Sequence, residues 1–164
     1  MMKKGFFFKE KKTQRGFTLI ELLVVISIIG VLAALVIANF NAARERARDV
    51  QRKSDLAQLK RALRMYYNDY NGYPDTATLP AWGAAFSSGD MVYMKRLPEE
   101  PTPGGVNYAY YAGSAACSDG VNDFRLVAVL ENTADPEIAK SHTRCPDDCG
   151  YTTDESSEYV VCAD

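Results

Sequence analysis

The feature that most constrains this chain is one apolar run, Phe17 to Phe40, preceded by the basic leader MMKKGFFFKEKKTQRG. A helix rises about 1.5 Å per residue and the hydrocarbon core of a bilayer is roughly 30 Å thick, so about 20 apolar residues span it. Leu22 to Ala38 contains no charge, and the only acid in the run is Glu21, near its start. The sequence therefore predicts a single transmembrane helix over residues 17–40. The basic leader is expected to stay on the cytoplasmic side of the membrane by the positive-inside rule, which sends the C-terminal domain outward. Arg44, Arg46 and Arg48 lie on the far side but are accompanied by Glu45 and Asp49. A cleaved secretory signal would need a small-residue site after the apolar stretch. Here the run instead continues into a charged helix, as it also would in an uncleaved signal anchor.

Glu21 needs its own explanation. An acid near the bilayer centre costs about 2.5–3.5 kcal/mol on insertion scales, and less near the interface. One reading is an interfacial glutamate that snorkels to water. The other is a carboxylate that gains a cation on assembly: a cut between Gly16 and Phe17 would create an α-amine one helical turn away, on its own chain or on a neighbour's.

These residues carry a resemblance. Gly16-Phe17-Thr18-Leu19-Ile20-Glu21-Leu22-Leu23-Val24-Val25, behind a basic leader and before a long apolar helix, resembles the prepilin-type cleavage and methylation motif of type IV pilins and type II secretion pseudopilins. The resemblance implies that a membrane-embedded prepilin peptidase removes residues 1–16 and methylates Phe17. It implies that Glu21 contacts the methylated amine of a neighbouring subunit in the core of a filament. It also implies as partners further copies of the chain, minor pilins or pseudopilins, and an inner-membrane assembly platform. Burying two opposite charges together is far cheaper than burying one, and a glycine at Gly16 lets the backbone enter a protease cleft extended. Many members have proline where this chain has Ala38. The first helix is then expected to stay continuous unless Gly30 weakens it.

Beyond Phe40, Leu56, Leu59, Leu63, Tyr66 and Tyr70 recur at steps of three and four, which places them on one helix face. Asn71-Gly72-Tyr73-Pro74 ends that helix, with Gly72 as the expected stop. Phe17 to Tyr70 is thus predicted as one helix, and such a length suits a pilin-like spine. Arg44, Arg46, Arg48, Arg52, Lys53, Lys60, Arg61 and Arg64 read as a solvated face or as a filament surface meeting the acidic C-terminal region of a neighbour. Residues 71–130, with Tyr93-Met94-Lys95-Arg96-Leu97-Pro98 and Pro103-Gly104-Gly105-Val106-Asn107-Tyr108-Ala109-Tyr110, resemble the G-type major pseudopilin. Residues 75–105 read as a loop with a short helix around Trp82 to Lys95. Strands are predicted at Asn107 to Ala112, Phe124 to Leu130 and Glu158 to Cys162. The fold class is α+β and pilin-like: a long N-terminal helix packed on a small antiparallel sheet, with residues 41–164 as the extracytoplasmic domain.

Net charge is −2, but residues 1–16 hold six Lys/Arg against one acid, and without them the remainder carries −7. Such a balance offers no footprint for nucleic acid. The four cysteines, Cys117, Cys145, Cys149 and Cys162, favour disulfides outside the cytoplasm over a zinc site built on Cys145 and Cys149. Four cysteines permit three pairings, among which sequence does not decide; a three-strand meander would pair Cys117 with Cys162 and leave Cys145 with Cys149. G-type pseudopilins generally bind calcium in a C-terminal loop. Oxygen ligands are present here in Ser118-Asp119-Gly120-Val121-Asn122-Asp123 and Asp147-Asp148, but the chain departs from the family ending after Leu130, so no cofactor is assigned. His142, the lone histidine, reads as a solvated loop residue without triad spacing, and Pro103-Gly104-Gly105 as a turn. No catalytic constellation is legible. The functional expectation is a filament subunit of pilus or secretion type; the competing one is a membrane-anchored binding module that never polymerises.

Overall fold

Helix α1, Leu19–Tyr70, is 52 residues long and unbroken through Gly30 and position 38. The computed structural model describes residues 16–112, 122–145 and 156–163, without the side chains at 35, 38 and 39. With no proline in α1, every N–H can join the i→i−4 ladder. The helix begins two residues later than expected. It stops at Asn71, whose φ of +51° is the left-handed conformation and whose N–H reaches the Tyr67 carbonyl at 2.8 Å. Asn71 therefore makes the stop assigned to Gly72, since asparagine tolerates that region next best after glycine.

The chain divides into two units, Met1–Asn41 and Ala42–Asp164. In the first, the described apolar side chains are exposed on every side of α1, from Leu19 and Ile20 through Ile26, Val31 and Ile37. Among the described residues no helix is long and apolar enough to cross a membrane. The fully described apolar stretch, Leu19 to Ala34, falls short of the roughly 20 residues a bilayer requires.

In the second unit β1, Phe86–Ser88, pairs antiparallel with β2, Met91–Met94, and a three-stranded antiparallel sheet has the order β3-β4-β5. These strands are Ala109–Ala112, Phe124–Val129 and Glu158–Cys162. The helix expected near Trp82 to Lys95 is thus a hairpin. Phe86 and Tyr93 point inward while Ser87 and Val92 point out, the period of a strand. Gly89, at φ +56°, opens the two-residue Gly89-Asp90 turn that such hairpins favour.

Leu56, Leu59 and Leu63 of α1 are fully buried against Phe124, Leu126, Tyr108 and Tyr110. Ala62 joins this face, while Tyr70 is half exposed and stacks on Tyr66 at 4.5 Å. The opposite face of β4 is also covered, because α2, Glu137–Arg144, packs on β5. Val127, Val160 and Cys145 form that second cluster. Ser141 donates to the Ile138 carbonyl at 2.7 Å and accepts the Val160 N–H at 3.1 Å, which fastens α2 to the strand.

That packing corrects the expected disulfides. Cys145 is bonded to Cys162, with Cα atoms 5.7 Å apart; Cys117 and Cys149 lie outside the described residues. The expected Cys117–Cys162 and Cys145–Cys149 pairs rested on a three-strand meander, and that meander forms. What the expectation lacked is α2, which packs on β5 and delivers Cys145 to Cys162. The bridge closes a separation of 17 residues, which corresponds to about 3 kcal/mol on the loop-entropy scale. Cys145→Ser with Cys162→Ser should lower the unfolding free energy by roughly 2–4 kcal/mol in a denaturant titration, and an unchanged midpoint would refute that assignment.

Candidate functional site

The stretch that carries the sequence motif is described from Gly16 onward. A Cβ built on Gly16 would meet nothing within 4 Å. The fold itself places no demand for glycine there. Phe17 is 87% exposed. Thr18 and Glu21 form a reciprocal cap. Glu21 Oε2 accepts the Thr18 N–H at 2.9 Å and its hydroxyl at 2.7 Å, and the Glu21 N–H donates to Thr18 Oγ1 at 3.3 Å. This is the T-x-x-E capping box, in which the glutamate satisfies an N–H that the helix start leaves orphaned. Phe17, Ile20, Glu21, Val24 and Val25 line a shallow hollow, so the carboxylate sits in an otherwise apolar surface. Ser27 turns its hydroxyl back to the Leu23 carbonyl at 2.8 Å, which keeps that polar group paired on the apolar helix.

A second arrangement lies in the Ala42–Asp164 unit. Arg52, 4% exposed, donates from Nη1 to Asp49 at 2.6 Å, from Nε to Glu100 at 3.0 Å and from Nη2 to Thr102 at 3.1 Å. It also lies 2.8 Å from Glu131. Asp49 accepts the backbone N–H groups of Glu131 and Asn132, both at 2.9 Å. Arg48 pairs with Glu131 through Nε at 2.6 Å, and Lys53 reaches Asp135 at 2.5 Å. The hydrogen bonds from Arg48, then those from Arg52, hold the Glu131 carboxyl down at about 2. Burial opposes the Arg52 charge, but its hydrogen bonds to Glu100, Glu131 and Asp49 outweigh it and raise its pKa. The network ties α1 to the segments at 99–102 and 131–135. Part of the basic run read as a solvated face is therefore internal.

The comparisons with known proteins join these observations. The model for the prokaryotic N-terminal methylation motif matches residues 11–37. Type II secretion system core protein G of Escherichia coli K12 is 43% identical over 98 residues, covering 54% of this chain and 66% of the relative. Its counterpart in Aeromonas hydrophila is 42% identical over 100 residues, covering 56% and 70%. That of Pseudomonas aeruginosa is 40% identical over 111 residues, covering 63% and 77%. The chain belongs to the type II secretion system core protein G family. No solved structure matches it.

Membership in the core protein G family gives the N-terminal geometry its context. The structure brings Thr18 and Glu21 together and leaves Gly16 and Phe17 open. Sequence reading missed the cap, although Thr18-Leu19-Ile20-Glu21 spells it. It also missed α2, for which the signal was Asp135-Pro136-Glu137: Asp135 Oδ1 accepts the Glu137 N–H at 2.9 Å, and proline suits a helix start. His142 is corrected from a loop residue to a half-buried helix residue. Its Nε2 faces the Glu158 carbonyl at 2.8 Å and its Nδ1 faces Arg125 Nη2 at 3.4 Å. A carbonyl only accepts, so Nε2 is the donor in the contact with Glu158.

Calcium receives no support from these residues. Positions 118–121 and 147–148 lie outside the described residues. Asn122 accepts from the Tyr67 hydroxyl at 3.2 Å and Asp123 from the Phe124 N–H at 2.7 Å. Among the described residues no group of three or more His, Cys, Asp and Glu could hold a metal.

Proposed function

We propose that this chain is a structural subunit of a type II secretion filament, made as a membrane-stored precursor and assembled through its N-terminal helix. The observation that supports this best is the pairing of a glycine the fold does not need with a helix that is apolar all round. Gly16 has open space at its Cβ position, so the demand for glycine comes from outside the chain, as a peptidase cleft would impose. Apolar side chains exposed on every side of α1 before Asn41 require lipid or other helices as their surroundings.

In this proposal residues 1–16 are a cytoplasmic leader, and Phe17–Phe40 spans the inner membrane once. Residues 41–164 form the extracytoplasmic domain. A prepilin peptidase cuts after Gly16 and methylates Phe17. Copies of the chain, with minor pseudopilins and an inner-membrane platform, then bundle their helices into a periplasmic filament. Glu21, which caps its own helix through Thr18, also faces the new amine of a neighbouring copy. The chain contributes packing and charge pairing, not catalysis.

N-terminal sequencing and intact mass of the membrane-extracted protein test this. The expected mature chain starts at Phe17 and is one methyl group heavier than its sequence. Retention of Met1 to Gly16 would overturn the proposal and is the result expected of an anchored binding module.

A further inference from the structure

Two features of the second unit are complementary in charge and apolar character yet lie on different sides of α1. The first is a cleft of about 430 Å³ between α1 and the β5 edge, at the Cys145–Cys162 bridge. Its charged lining residues are Lys60, Arg61, Arg64 and Arg144, with Ala57 and Val161 among the apolar ones, and among the described residues no carboxylate lines it. Lys60 and Arg64 make contacts of their own, and Arg144 lies 3.4 Å from Glu137. Arg61 is exposed, and no ion pair engages it among the described residues. The second feature is the β1–β2 turn, where Gly89 and Asp90 are exposed and Met91 and Val92 are each 55% exposed. An acid beside two uncovered apolar side chains is the chemistry that a cationic cleft with apolar walls accepts.

The positions along α1 decide how these features can meet. The hairpin sits on α1 through Tyr66, which stacks on Phe86, and Tyr70, which bonds Ser88 at 2.9 Å. At 3.6 residues per turn, Tyr66 and Tyr70 point roughly 150° away from the mean direction of Lys60, Arg61 and Arg64. A turn on one flank cannot fill a cleft on the other flank of the same domain. Copies that join two different patches associate head to tail, and when the rotation does not close they build an open helical filament.

We propose that the Gly89-Asp90-Met91-Val92 turn of one copy seats in the Lys60/Arg61/Arg64/Arg144 cleft of the next copy. This contact rests on the filament reading above and adds a junction between soluble domains to the helix-driven assembly. Asp90 faces Arg61, and Met91 and Val92 cover the apolar wall.

The test uses the full-length chain in cells that assemble filaments. Among the described residues no cysteine is free, so cysteines introduced by Arg61→Cys and Asp90→Cys in one chain report on each other. Oxidation of collected filaments should give a ladder of multimers, absent from either single variant. Filaments without a ladder, or with dimers alone, would overturn the contact. Independently, Arg61→Asp and Asp90→Arg should each lower filament yield roughly fivefold at low salt, and the two together should restore it. Equal losses in the single and double variants would also overturn it. Absence of filaments from the unaltered chain would instead remove the filament reading itself.

Discussion

Glu21→Ala should leave the chain inserted in the membrane and cut after Gly16, while filament yield falls to background. Removing an acid makes the helix easier to insert, so loss of the precursor is not the expected outcome. On the proposed assembly, what disappears is the partner for a neighbour's amine, and an unpaired charge buried among apolar helices is strongly unfavourable. Because Glu21 also closes the Thr18 cap, alanine alone does not separate the two roles. Glu21→Gln does, since glutamine serves the capping box as well as glutamate but carries no charge. Loss of assembly in Glu21→Gln, with filaments retained in Thr18→Val, would assign the effect to charge. The cap alone is worth about 1 kcal/mol. Normal filaments from Glu21→Gln would refute the charge pairing.

Arg52→Met should unfold the Ala42–Asp164 unit at a much lower temperature. The substitution leaves Asp49 and Glu100, whose side chains are 3% and 5% exposed, without their shared cation. Breaking a buried pair from one side costs about 3–5 kcal/mol, which for a domain of this size lowers the melting temperature by on the order of 10–20 °C. Calorimetry decides it, and a shift of only a degree or two would show the network to be solvated. The same cluster sets an acid limit. Glu131, held at about 2, has a folded-state value below its ordinary one. Its stabilisation is therefore complete above about pH 4.5 and is lost as the pH falls towards 2. Glu131→Gln should flatten stability across that window, and an unchanged acid slope would count against the assignment.

Much of this was legible in the chain because the signals were local. Phe17–Phe40 is apolar beyond what a soluble core needs, Leu56, Leu59 and Leu63 mark one face by spacing alone, and three strands were found within a residue or two of their bounds. The hairpin at Phe86–Met94 was misread as a helix because two prolines bracket it and strand segments of three and four residues offer almost no period. Arg52 was misread because a charged residue at a helical position looks the same whether its partners are water or acids 48 and 79 positions away.

By itself the sequence determined the helix, its apolar first part and the family, and it also spelled the T-x-x-E start that only the structure brought to notice. Each of these depends on residues within a few turns of one another. Tertiary structure alone decided the Cys145–Cys162 bridge, the second buried face of β4, the internal place of Arg52 and the opposition of the Asp90 turn and the Arg61 cleft across α1. Those depend on which distant segments share a neighbourhood, and spacing along a chain does not encode that: α2 lies on β5, and Arg52 meets Glu100 and Glu131, only through the tertiary fold.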